Sequence, residues 1–149
     1  MRNVSHKLLV LVIVVLCAGA LCSACSSPVS SGGGGSLTQA EVEVAVAVAI
    51  TAYIEGGLGS LSGPVPGVDY NLDTFVVTFD GYDVSSSVDG SYATITGTVT
   101  PEASEWDFDV SLTGGPVDTL VFSLTSLDQE TSVNVTANGE SYTIVLDNG

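Results

Sequence analysis

The chain has 149 residues, with 17 Asp and Glu against 2 Lys and Arg, 1 His and 3 Cys, a length suited to one ordinary domain. Its cations and thiols (Arg2, His6, Lys7, Cys17, Cys22 and Cys25) all fall within the first 25 positions, so the remainder holds no Lys, Arg, His, Cys or Met. That excludes from the remainder Ser-His and Cys-His catalysis, lysine Schiff bases, histidine or thiolate metal sites and arginine phosphate clamps, and also nucleic-acid binding, which needs Lys or Arg to neutralise backbone phosphates.

The first 24 residues have the three-part layout of a secretory signal. Arg2 and Lys7 supply the basic start, 8–16 is an unbroken run of Leu, Val and Ile, and Cys17, Ala18, Gly19 and Ala20 are small. The apolar stretch 8–24 sits at the lower edge of what spans a bilayer, which favours cleavage over a retained anchor. Leu21, Cys22, Ser23, Ala24 and Cys25 resemble the lipobox of bacterial lipoproteins, although Cys22 stands where Leu is usual. In that family the small residues precede a cysteine that is diacylated and becomes the mature N-terminus. The resemblance therefore implies a signal peptide over 1–24, a lipidated Cys25, and membrane attachment through acyl chains such as palmitate. Ser26 rather than Asp after that cysteine implies the outer membrane, in bacteria that sort by this residue. Residues 25–36 then form the lipidated cysteine and a Gly/Ser tether. The competing reading, cleavage after Ala20, leaves Cys22 and Cys25 as a C-x-x-C pair, but such a dithiol normally opens a helix inside a βαβ unit and this one precedes a linker.

Residues 37–149 read as one α+β domain. Val42, Val44, Val46, Val48 and Ile50 alternate like a strand, yet Thr38 with Glu41 three places on forms a capping box, Leu37 and Val42 are spaced as a hydrophobic staple, and four alanines favour a helix. Gly56 and Gly57 are expected to stop it. A helix so apolar all round has to be covered on nearly every face. After a breaker-rich loop over 56–67, apolar residues alternate through six strands, at 74–86, 91–100, 105–113, 117–127, 130–137 and 140–147.

Turn chemistry sets the expected register. Asn138-Gly139, Asp128-Gln129 and Gly114-Gly115-Pro116 pair Val135 with Tyr142, Phe122 with Val135 and Phe108 with Phe122. A four-residue loop over 101–104 pairs Val99 with Trp106, and Asp89-Gly90 pairs Tyr82 with Gly97. Phe75, Val77 and Phe79 have the opposite parity to Tyr82 and Val84, which predicts a bulge near Gly81. The expected architecture is one N-terminal helix packed on a six-stranded antiparallel meander, with an all-β sandwich or small barrel as the alternative.

Candidate sites are few. Asp69, Asn71 and Asp73 have the D-x-N-x-D start of a calcium loop with Asp80 at the twelfth position, but Thr74 replaces the turn glycine and Asp80 is shorter than the usual Glu. Asp107 and Asp109, expected beside Thr98 and Thr96, form with Glu102 and Glu105 the densest acidic cluster, which reads as a solubilising face rather than a glycosidase pair. Thr94, Thr96, Thr98 and Thr100 form a row explained by ordinary β-propensity. Trp106, Phe108, Phe122 and Tyr142 would line any cavity between helix and sheet.

These features point to a lipid-anchored, non-catalytic envelope protein acting as a binding or structural module of unknown partner, another envelope protein being one candidate, with no cofactor beyond the calcium-loop candidate. The alternative is a carrier holding a small molecule or lipid in that cavity. The open edges of a meander also suit assembly by strand addition.

Overall fold

The computed structural model describes residues 36–88, 90–125 and 131–146. The leader, Cys25, the tether through residue 35, and the turn residues Asp89, Asp128 and Gln129 lie outside the described residues.

The ambiguous valine-rich segment is helical. Helix α1 (Gln39–Ala52) opens on the expected capping box: the Glu41 amide donates to the Thr38 hydroxyl at 3.2 Å, and the Glu41 carboxylate accepts from the Thr38 amide at 2.7 Å. These bonds satisfy amides that a strand start would leave to other partners, and they decide against the alternating pattern and the all-β alternative. Gly56 and Gly57 do not stop the helix. The chain widens into a π-helical turn (Tyr53–Leu58) and tightens into a 3₁₀ turn (Gly59–Leu61). Both glycines are buried, because the backbone here lies directly on the sheet. A β-carbon on Gly56 would come within 2.9 Å of the Tyr82 ring, and one on Gly57 within 3.2 Å of Val77.

Among the described residues, seven antiparallel strands follow in a single meander whose spatial order is the chain order: β1 (Val68–Tyr70), β2 (Val77–Asp83), β3 (Thr94–Glu102), β4 (Glu105–Thr113), β5 (Thr119–Thr125), β6 (Thr131–Ala137) and β7 (Glu140–Leu146). The strand beyond the expected six is β1, drawn from the stretch whose carboxylates resemble a calcium loop. The 23-residue helical run from Gln39 to Leu61 extends about 34 Å, close to the roughly 29 Å width of seven strands. It starts beside β7, crosses β4 and ends over β1 and β2. The run is long and apolar enough to cross a bilayer by composition, yet it packs here as a core helix. Val46 and Val48, about 200° apart around the axis, are 0% and 1% exposed, so the helix is enclosed from more than one side.

One continuous core joins helix and sheet. Its largest fully buried members include Phe79, Tyr92, Ile95, Phe108, Leu120 and Ile144. Burying each such aliphatic or Phe side chain stabilises the fold by about 1.5–3 kcal/mol. Among the described residues, the members of this core lie within 37–146, so a chain beginning at Ser26 contains them.

Register agrees with expectation on one side of the sheet and slips on the other. Val135 faces Tyr142, Phe122 faces Val135, and Phe108 faces Phe122, as the turns require. The β3–β4 turn has two residues, Ala103 and Ser104, instead of four, so Val99 faces Phe108, and Trp106 faces Pro101. Pro101 reads as a loop residue because it lacks an N–H. It is tolerated in β3 because it holds a position whose N–H points away from β4, at a level that β2 does not reach. Tyr82 faces Ile95 rather than Gly97, since residues 84–88 and 90–93 lie outside the strands, with turns closed by Ser87 N–H to Val84 O and Gly90 N–H to Ser87 O. Both slips are of two residues, so every side chain keeps its face. The bulge is where parity requires it: register shifts between Phe79 and Tyr82, and Gly81 has φ +67° with its N–H on the Thr96 hydroxyl at 3.1 Å.

Candidate functional site

The β1–β2 hairpin turns on Asn71. Its side-chain oxygen accepts from the amides of Asp73 at 2.9 Å and Thr74 at 3.2 Å, while its backbone pairs with Val76 and Phe75. This is an Asx-type turn, which Asn favours because its short side chain substitutes for a backbone acceptor. The D-x-N-x-D stretch is therefore a hairpin tip. Asp69 lies on β1 opposite Thr78, Asn71 is spent on the turn, Asp73 is at the tip, and Asp80 on β2 donates its N–H to Gly67 O at 2.9 Å. Among the described residues, no three or more His, Cys, Asp or Glu side chains are gathered to hold a metal ion.

The outer face is mostly polar and tied to itself, with Val121 and Val145 exposed among its Thr, Ser and Asp side chains. Asp107 faces Thr100 and Ser123, and Asp109 faces Thr98, each displaced by two residues from the expected neighbours. The Ser123 hydroxyl donates to Asp107. The threonine row acts structurally, since Thr94 shares a hydrogen bond with Thr113 at 2.8 Å and Thr96 holds the bulge. Glu102 and Glu105 face each other across the β3–β4 turn, exposed and with no cation nearby in sequence.

The four rings expected around a cavity separate. Phe108 and Phe122 stack with centroids 4.4 Å apart, and Tyr53 meets Phe108 edge-on at 5.9 Å, so these rings fill space between helix and sheet. Tyr142 is half-buried on β7 with its hydroxyl on Glu140 at 2.8 Å. Trp106 is 36% exposed, moved to the sheet's end by the short β3–β4 turn. Burial and then the Tyr70 charge raise the pKa of Tyr53, and the nearby indole of Trp106 partly offsets them.

The β1–β2 and β3–β4 turns share one end of the sheet, because β2 and β4 start where β1 and β3 finish. Leu72 and Phe75 there are 69% and 57% exposed, and Trp106 lies at the same end. Sequence reasoning placed Phe75 on an inward strand position and did not single out Leu72. The Asx-turn signal at Asn71, followed by Asp73 and Thr74, was the clue that the chain reverses there.

No family model, curated protein or solved structure matches the chain. Asp69, Asp73, Asp80, Asp109, Glu102 and Glu105 are exposed, and large apolar side chains are exposed at the end of the sheet that bears Leu72, Phe75 and Trp106.

Proposed function

We propose that the protein is a lipid-anchored, non-catalytic component of the bacterial envelope, held in the outer membrane by acyl chains on Cys25, whose folded domain acts as a binding or structural module. The observation that carries the module reading is the end of the sheet bearing Leu72, Phe75 and Trp106, since large apolar side chains gathered at one end of a small domain commonly mark an interaction site. The anchoring half rests on the lipobox-like Cys25 and the Gly/Ser tether behind it. The domain lacks every cationic and thiol group that most catalytic mechanisms require.

Anchoring is tested by growing cells expressing the full chain with an alkyne-tagged palmitate. Label is expected on the protein in the membrane fraction, and Cys25→Ser is expected to abolish it. Membrane retention of an unlabelled protein would overturn the reading in favour of an uncleaved apolar anchor. The module half is tested by photo-crosslinking from the domain surface in intact cells, where a discrete adduct is expected.

A further inference from the structure

The apolar end of the sheet has an acidic rim. Asp73 sits at the β1–β2 tip between Leu72 and Phe75, and the opposed pair Glu102 and Glu105 closes the β3–β4 turn on the outer side, one residue before the inward-projecting Trp106. All three carboxylates are exposed, and no Lys, Arg or His exists within residues 26–149 to balance them. Like charges directly opposite across a hairpin are destabilising, so this arrangement leaves repulsion that the chain itself does not relieve. The same two tips hold Phe75 at φ +59° and Ala103 at φ +47°, left-handed conformations that neither residue type favours.

We propose that this end is a docking surface for a basic polypeptide segment that carries apolar side chains between its Lys and Arg residues. The proposal rests on the binding-module reading and names the partner's chemistry. A Lys or Arg brought to Glu102 and Glu105 on the outer side of the turn removes their mutual repulsion and completes two ion pairs, while Trp106, which projects from the helix-side face at the same end, offers its exposed edge to an apolar side chain of the partner. Leu72 and Phe75 cover the partner's apolar side chains. Charge complementarity selects this occupant, because the same carboxylates repel an anionic membrane surface.

Trp106 is the chain's one tryptophan, so its emission reports on this end directly. Residues 26–149 would be titrated at physiological ionic strength with a peptide alternating Lys and Leu, with Lys-Ser and Glu-Leu peptides of equal length, and with phosphatidylcholine vesicles. The Lys-Leu peptide is expected to shift Trp106 emission to the blue, saturably, and to bind about tenfold more tightly than Lys-Ser, with no response to Glu-Leu. Phe75→Ser, and separately Glu102→Gln with Glu105→Gln, are expected to weaken binding about tenfold with the circular dichroism spectrum unchanged. Equal binding of the Lys-Leu and Lys-Ser peptides, or unaltered binding by both variants, would overturn the proposal in favour of a general polyanion field. A response to vesicles without one to peptide would overturn it in favour of a lipid-facing end. Crosslinking from Val121 on the outer face separates this failure from that of the module reading, because an envelope adduct there, without peptide binding at the tips, removes only the docking surface.

Discussion

A β-carbon on Gly97 would run into the carbonyl oxygen of Asp109 on the adjacent strand, and Gly97 holds φ at +135°, a conformation L side chains rarely adopt. The glycine lets β3 and β4 approach in mid-sheet, beneath the core residues Phe79 and Val110 that flank it. Gly97→Ala therefore combines backbone strain with a backbone clash and is expected to lose at least about 2 kcal/mol in urea unfolding. Gly139→Ala, at φ +83° but facing open space, should lose only the strain, about 1 kcal/mol. Equal losses at the two positions would remove the close-approach explanation.

Asn138 does more than turn the chain. At φ +50° in the β6–β7 turn, its side-chain oxygen accepts from Asp118 at 2.8 Å and Thr119 at 3.0 Å, and its amide donates to Pro116 O at 3.1 Å. One residue thus joins the β6–β7 turn to the β4–β5 loop. Asn138→Gly keeps the turn and loses the brace, an expected cost of about 1–2 kcal/mol. Asn138→Ala adds left-handed strain and should fall about 1 kcal/mol lower still. Thermal unfolding of the three proteins should rank them Asn, Gly, Ala.

The sequence carried most of the architecture because hydrophobic parity and turn chemistry act locally. The capping box at Thr38 and the Asn138-Gly139 turn were both readable within a few residues. Their long-range roles were not: Asn138 spans to Pro116, and Gly56 and Gly57 resemble helix stops until Tyr82 and Val77 are placed against them. The register slip at Pro101 has the same origin. A missing N–H signals a loop unless the neighbouring strand is known to end short of it. That slip placed Trp106 in the interior instead of at the rim, so the site was misread along with the turn.

Seventeen carboxylates without an opposing cation in the domain repel one another, and salt screens that repulsion. The melting temperature of residues 26–149 is expected to rise steadily with sodium chloride. Calcium at matched ionic strength should add nothing beyond this, because Asn71 is spent on its turn and Asp69, Asp73 and Asp80 are not gathered around a common point. A calcium-specific rise that Asp69→Asn removes would restore the calcium loop.

Between carboxylates and tyrosines, no side chain of residues 26–149 titrates, so stability should be flat from about pH 6 to 9. Above that the tyrosines decide. Burial raises the pKa of Tyr53 and Tyr82, with the Tyr70 charge adding at Tyr53 and the Glu55 charge at Tyr82. A raised folded-state pKa gives stability that is fully present below the unfolded value near 10 and is lost as pH climbs through the folded value. Tyr53→Phe keeps the ring against Phe108 and removes one titrating group, so its stability should fall less steeply on the alkaline side. Identical alkaline limbs for the two proteins would show that the Tyr53 environment does not set this loss.

Phe75 tests whether the exposed end is retained for a purpose other than folding. Its side chain is mostly in water, while its backbone sits at φ +59°, stabilised by its N–H on Asn71 O at 2.7 Å. A bulky residue in this conformation costs roughly 1–2 kcal/mol, and Asn is among the residues that enter it most readily. Phe75→Asn keeps the backbone hydrogen bond and relieves the strain, so it is expected to leave stability unchanged or raise it by up to about 1 kcal/mol. A gain in urea midpoint together with lost Lys-Leu peptide binding would mark Phe75 as a contact residue kept at a cost to stability. A clear loss of stability would instead mark it as part of the packing of the sheet's end, and Leu72 and Trp106 would have to carry the contact without it.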